Sequence, residues 1–129
     1  ADKYPKTAVV LDHLFMPDVE LPDFGIDGRY DGFKARGNIY LKWTSLSMDC
    51  IREMGIKPEA VLRRAVDYYG ADNIMWSSDY PHPNSPWPNS LKVIERDLGH
   101  LPGEVRAKLV RENVARLYHM RVPETVAVG

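Results

Sequence analysis

Cysteine is almost missing from this 129-residue chain: Cys50 is the only one. A single thiol excludes an intramolecular disulfide and any cysteine-based zinc cluster, and such sparse usage fits a reducing, cytoplasmic setting. An excess of either charge is missing too. The formal net charge is −1, which argues against nucleic acid or an anionic membrane as an obligatory partner, since both require a basic surface. No apolar run approaches the roughly 20 residues of a membrane-spanning helix, and there is no internal repeat or low-complexity tract. The opening Ala1-Asp2-Lys3-Tyr4-Pro5 has no initiator Met and no signal-peptide pattern. It reads as the end of a helix leading into a strand, so the chain is expected to start inside a larger architecture. What is present is ordinary: 44 % hydrophobic and 27 % charged residues suit one modest globular domain.

Three stretches read as strands. Thr7-Ala-Val-Val-Leu-Asp-His13 is apolar until its last two residues, the pattern of a parallel strand covered on both faces. Period-2 alternation puts His13 on the face of Val9 and Leu11, with Asp12 opposite. Asn38 to Thr44 alternates, with Ile39, Leu41 and Trp43 on one face and Tyr40, Lys42 and Thr44 on the other. Ile74-Met-Trp76 follows a turn at Asp72-Asn73 and becomes polar by Asp79, after which prolines 81, 83, 86 and 88 forbid further ladder pairing. Between the first two strands lies a long acidic segment, residues 14–36, either a functional loop or poorly ordered, with a short helix from Tyr30 to Ala35.

Helices are expected at Ser45–Met54, at Glu59–Tyr69 with Pro58 in its first turn and Gly70 at its end, and at Leu91–Leu98, with Asn89 or Ser90 as cap. The stripe of the second is Leu62, Ala65, Val66 and Tyr69, and Glu59 can pair with Arg63. A further helix starts at Pro102, with Val105 and Leu109 on one face, and Asn113 breaks it before a last turn to Tyr118. Residues 121–129 read as a frayed tail. Strands alternating with helical crossovers imply a parallel sheet. Three strands close nothing; in a (β/α)₈ barrel they would be the last three units.

Polar residues at the C-terminal tips of parallel strands are where such sheets place chemistry. Asp79 could ligate a divalent metal or take a proton from water, or it could simply cap the Tyr80-Pro81 turn. His13 could be a metal ligand or an acid–base group, or a hydrogen-bonded structural histidine. His82 could line a pocket or be exposed between its prolines. Lys42 could hold an anionic substrate or snorkel at the rim. Trp87 could flank the mouth of a site, with Trp43 and Trp76 in the core. His100 and His119 read as surface residues, and Cys50 as a small apolar packer.

The strand ending Val-Val-Leu-Asp-His13-Leu, the strand Asn38-Ile-Tyr-Leu-Lys42, the run Ile74-Met-Trp-Ser-Ser-Asp79-Tyr-Pro-His82-Pro and the close Arg111-Glu-Asn113-Val-Ala-Arg-Leu-Tyr118 together resemble the C-terminal half of the amidohydrolase superfamily. More narrowly they resemble its amidohydrolase-2 branch of lactonases, decarboxylases and metal-dependent hydrolases. The resemblance covers nearly the whole chain and implies an α/β fold, a partial (β/α)₈ barrel forming one domain over residues 1–129. It implies that Asp79 binds a divalent metal or acts as general base, and that His13 is a metal ligand or proton-transfer residue. Tyr80, Pro81 and His82 match the last-strand variant of decarboxylase-like members, and Tyr80, His82, Lys42 and Trp87 are the substrate-binding candidates.

Two departures bear on this. The family's His-x-His pair, which anchors the metal on its first strand, occurs nowhere in these residues, and Ser77 and Phe15 stand where glycines are usual. A catalytic zinc needs about three protein ligands, so the expected divalent metal, zinc above others, belongs to a full-length parent and this chain alone holds none. The parent is expected to hydrolyse an ester, lactone or amide, or to decarboxylate a small carboxylic acid. The chain alone is expected to be inactive, completed by a missing N-terminal half or by self-association. A different class of reading makes it a non-catalytic half-barrel that self-assembles or serves as a scaffold, because an unpaired parallel edge invites association.

Overall fold

The computed structural model describes residues 1–122, and the expected fray at 121–129 falls largely outside them. Three parallel strands, β1 (Val9–Leu11), β2 (Ile39–Thr44) and β3 (Ile74–Ser77), form one sheet in sequence order. Val9 is level with Ile39, Leu41 with Ile74 and Thr44 with Ser77. Helix α1 (Asp27–Lys34) lies in the β1–β2 crossover, α2 (Ser45–Glu53) and α3 (Pro58–Tyr69) in the β2–β3 crossover. α4 (Ser90–Leu98) and a last helix follow β3. That last helix runs as α5 (Gly103–Ala107), a π-helical stretch (Lys108–Glu112) and α6 (Asn113–Leu117).

The alternation in β2 sorts its side chains as expected. Ile39, Leu41 and Trp43 are buried, and Leu41 and Trp43 belong to a core with Leu14, Ile26 and Tyr30 from the β1–α1 segment, Met48 and Ile51 from α2, and Val61, Leu62 and Ala65 from α3. Residues 14–36 are therefore neither a plain loop nor unordered. Leu14, Ile26 and Tyr30 anchor them, and the Tyr30 hydroxyl donates to the Leu14 carbonyl at 2.6 Å. Gly70, at φ 95, closes α3 in a conformation that a side chain would strain.

Several local expectations are corrected. The first residues form turns, with Tyr4 N–H bonded to the Ala1 carbonyl at 3.1 Å, and not a helix end. β1 stops at Leu11 and is only half-buried, because β2 flanks one side of it and the chain then enters a left-handed turn. Glu59 faces Arg52 at 3.8 Å instead of Arg63. Trp76 packs against the core but is only half-buried, and Cys50 is exposed. Asn113 does not break the last helix. Fully buried, its Nδ2 donates to the carbonyls of Ala71 (2.6 Å) and Ile74 (2.7 Å), so the π-helical stretch hands its amide to the start of β3. The amide nitrogen is thereby paired at the strand entrance, while its Oδ1 is buried without a partner.

A charged clasp joins α2 to α4. Asp97 is 0 % exposed and accepts from Arg96 Nε (2.5 Å) and Nη2 (2.8 Å) and from Arg52 Nη2 (3.1 Å). A buried carboxylate is tolerated only when its lone pairs are taken up in this way. Asp97→Asn should lower stability by about 1.5–3 kcal/mol, the worth of hydrogen bonds to a charged group, read as a shift in the urea midpoint at unchanged slope.

His100 is half-buried, with both ring nitrogens shielded from solvent. Burial, and then the Arg63 guanidinium, hold its pKa below the ordinary 6.5. The unfolded chain thus binds a proton that the folded chain refuses, and stability present above pH 6.5 is lost as pH falls toward the depressed value. Thermal melts between pH 7.5 and 5 should show that decline in the wild type and a flatter profile in His100→Phe.

Candidate functional site

The three strands are parallel, so their C-terminal ends share one edge, and each ends in polar residues. Just beyond β1 stand Asp12 and His13; β2 contributes Lys42 and Thr44; two residues beyond β3 stands Asp79. Leu11 is level with Leu41, so Asp12 falls beside Lys42 on the face away from the core. The Lys42 ammonium lies 2.7 Å from Asp12 and 3.6 Å from Asp79. One cation is thus shared by two carboxylates from the two flanking strands. Burial pulls the Lys42 pKa down, but the hydrogen bond and charge of Asp12, with Asp79 behind them, win, and the net shift is upward. The ammonium stays charged at neutral pH.

Asp79 is one-quarter exposed and adopts φ 59, a left-handed conformation that aspartate tolerates better than most residues. Its N–H donates to Ser77 Oγ at 3.1 Å, and its carbonyl accepts the His82 N–H at 2.8 Å. The backbone of Asp79 therefore closes the turn, and its carboxylate is left for Lys42.

His13 belongs to a turn in which His13, Leu14, Phe15 and Met16 all have φ between 49 and 56. The strand alternation expected for it is overturned, because the left-handed turn begins where β1 ends. The ring does not follow Val9 and Leu11; its Nδ1 lies 2.7 Å from Thr44 Oγ1 and 3.0 Å from Ser47 Oγ, and those hydroxyls are 2.8 Å apart. Thr44 is also the N-cap of α2, its Oγ1 accepting the Ser47 N–H. The cap and the imidazole are thus one hydrogen-bonded unit, which ties up Nδ1 and leaves Nε2 for another partner.

Sequence reading therefore located the edge but missed three of its members. Asp12 was detectable from register alone, since parallel pairing puts it next to Lys42. Thr44 and Ser47 have no signal beyond an ordinary helix cap. The outer candidates are dispersed: His82 is exposed, with Nδ1 accepting the Asn84 N–H at 3.4 Å. Tyr80 and Trp87 are 66 % and 64 % exposed, and their rings meet edge-on at 6.0 Å. They form an aromatic flap on the proline loop. No hydrogen bond or ion pair joins His13 to Asp79 among the described residues.

The family model described as Amidohydrolase matches residues 1–120, and the chain belongs to this family. No curated protein matches it. Among solved structures it is similar to an amidohydrolase from Burkholderia multivorans with bound HEPES (TM-score 0.64, 19 % identity, 93 % of this chain and 47 % of that one). A second crystal form of an amidohydrolase from that organism carries bound zinc. The 5-carboxyvanillate decarboxylase of Sphingomonas paucimobilis is similar at TM-score 0.60 and 20 % identity, over 93 % of this chain and 36 % of that one. A putative 2-pyrone-4,6-dicarboxylic acid hydrolase from Pseudomonas putida follows at TM-score 0.56 and 20 % identity, over 90 % and 44 %. The chain thus spans less than half the length of each, and its α/β fold of three parallel units is part of their barrel.

No group of three or more His, Cys, Asp or Glu side chains among the described residues is placed to hold an ion, and the Asp79 carboxylate faces the Lys42 ammonium. No helix among them is long and apolar enough to cross a membrane. Metal analysis of the purified 129-residue chain after dialysis against micromolar zinc should find well under one equivalent. Tight stoichiometric zinc would show that Asp79 and His13 do assemble a site.

Proposed function

We propose that this chain forms the last three β/α units of an amidohydrolase-type enzyme that hydrolyses an ester, lactone or amide bond in a small carboxylate-bearing molecule. The observation that carries this reading is the shared ammonium at the strand ends: Lys42 holds Asp79 where the C-terminal rim of a barrel places its chemistry. In this scheme Asp79 accepts the proton of the attacking water while Lys42 fixes the carboxylate and steadies its charge. His13, locked through Nδ1 by Thr44 and Ser47, offers Nε2 to the substrate or leaving group. The carboxylate in the substrate is inferred from two relatives, one a decarboxylase of 5-carboxyvanillate and one a putative hydrolase of a pyrone dicarboxylic acid. A divalent metal in the complete barrel, zinc by analogy with the Burkholderia structure, would draw its further ligands from outside this chain.

The decarboxylase likeness supports a second chemistry, in which the substrate carboxylate leaves as CO₂ and His13 protonates the carbon it vacates. Both β1 and β3 have a partner strand on one side only among the described residues, which supports completion by further strands, from the remainder of a barrel or from a second copy. Gel filtration of the 129-residue chain separates these: a defined oligomer supports the second copy. In the full-length protein, Asp79→Asn should cut turnover by about 10²–10⁴-fold, the usual worth of a positioned general base. A panel of lactones and aromatic acids, followed by acid release and by CO₂, assigns the reaction. Near-normal rates in Asp79→Asn would remove Asp79 from the mechanism.

A further inference from the structure

Sulfur is sparse in this chain, with five methionines and one cysteine, yet most of the exposed sulfur gathers in one place. Met48 and Met75 are buried, and Met120 stands exposed beyond the last helix. The remaining three, Met16, Cys50 and Met54, line one cavity of about 360 Å³ between the left-handed turn and α2. Met16 and Met54 are 69 % and 61 % exposed, and Cys50 is exposed as well, so none of the three serves to fill the core. The backbone brings them together from two sides. The Met54 N–H donates to the Cys50 carbonyl at 3.2 Å, which stacks these two residues one turn apart at the end of α2. Met16 reaches the same cavity from the turn that its own N–H closes on the His13 carbonyl at 2.9 Å.

We propose that this cavity is a binding site for a soft monovalent ion, Cu(I), held by the Cys50 thiolate and the thioethers of Met16 and Met54. Thiolate and thioether sulfur select Cu(I) over harder ions, and among the described residues no Asp or Glu lines the cavity. On binding, the Cys50 thiol gives its proton to solvent and no electron changes hands. The thiolate then cancels the charge of the ion, so the assembled centre is neutral. Walls of Pro17, Val19, Leu46 and Ile51 tolerate a neutral centre, whereas an uncompensated charge against apolar surface is costly. The C-terminal end of α2 adds its own partial negative charge. The basic residue of that last turn, Arg52, is engaged by Asp49 and Asp97. Each methionine has three rotatable bonds, which lets its sulfur close on an ion lodged at Cys50.

Cu(I) itself is the probe, kept reduced by ascorbate under nitrogen and presented as its coloured bicinchoninate complex. The 129-residue chain should withdraw one equivalent of copper and bleach the complex, and excess Zn(II) should not prevent this. Met16→Leu combined with Met54→Leu nearly conserves volume at two exposed positions and keeps the thiol. The pair should weaken binding by roughly 10–100-fold, the scale on which even indirect partners of a metal act. Met54→Leu alone keeps the test decisive if the change in the left-handed turn disturbs the fold, which circular dichroism reports. Cys50→Ser should abolish uptake. Bleaching unchanged in the methionine variants would mean an adventitious ion on a lone thiol and would overturn the site. So would a copper-dependent dimer on gel filtration, with Cys50 bridging two chains, or no uptake at all.

Discussion

Strand β2 is the constraint on which the rest of the structure depends. Among the described residues it is the only strand flanked on both sides, and its six residues do two jobs by parity. Leu41 and Trp43 point into the core and bind the crossover helices to the sheet, and Ile39 is buried on the same parity. Lys42 and Thr44, on the other parity, meet the two neighbouring strand ends. Because side chains alternate with a period of two, a slip of one residue would send the ammonium into the core and an aromatic to the rim. Burying Leu41 and Trp43 therefore sets the position of Lys42. The stability of the fold and the geometry of the site are the same register.

The rim itself is organised by sharing. Lys42 serves two carboxylates, and His13 Nδ1 serves two hydroxyls. With its charge already divided between Asp12 and Asp79, Lys42 is a weaker anion receptor than its place in the sequence suggests, and a better orienting group for Asp79. The left-handed turn that carries His13 is costly, since non-glycine residues in that region are strained by about 1–3 kcal/mol each. It is held by burial of Leu14, by the Tyr30 hydroxyl on the Leu14 carbonyl and by Arg29 Nη1 on the carbonyls of Phe15 (3.1 Å) and Met16 (2.5 Å). Core and surface groups together thus fix the imidazole before any ligand arrives.

The elements were legible in the sequence wherever a local rule decided them. β2, α2, α3 and α4 lie within a residue or two of where alternation, Pro58 and the glycines put them, because period and punctuation act over a few residues. The failures share another cause: the deciding partner is remote in sequence. Nothing near Asn113 says that its amide will cap carbonyls 42 and 39 positions away, so it reads as a helix breaker. Nothing near His100 reveals that packing hides both its nitrogens. His13 leaves the face that strand alternation gives it, because β1 ends at Leu11 in a turn whose signal is tertiary.

Asn113 and Lys42 also show how the two ends of β3 are linked. The amide of Asn113 holds the Ile74 carbonyl at the entrance of the strand, and the ammonium of Lys42 holds Asp79 beyond its exit. Between them the strand has four residues, too few to absorb a shift of one end without moving the other. The same helix that closes the unit therefore bears on the carboxylate at the rim through a rigid segment of backbone. A π-helical stretch in that closing helix has a physical reason here: the extra residue in the turn advances Asn113 to the strand entrance. Without that advance the carbonyls of Ala71 and Ile74 would lose the Asn113 amide, and the strand that delivers Asp79 would lose one tie at its entrance.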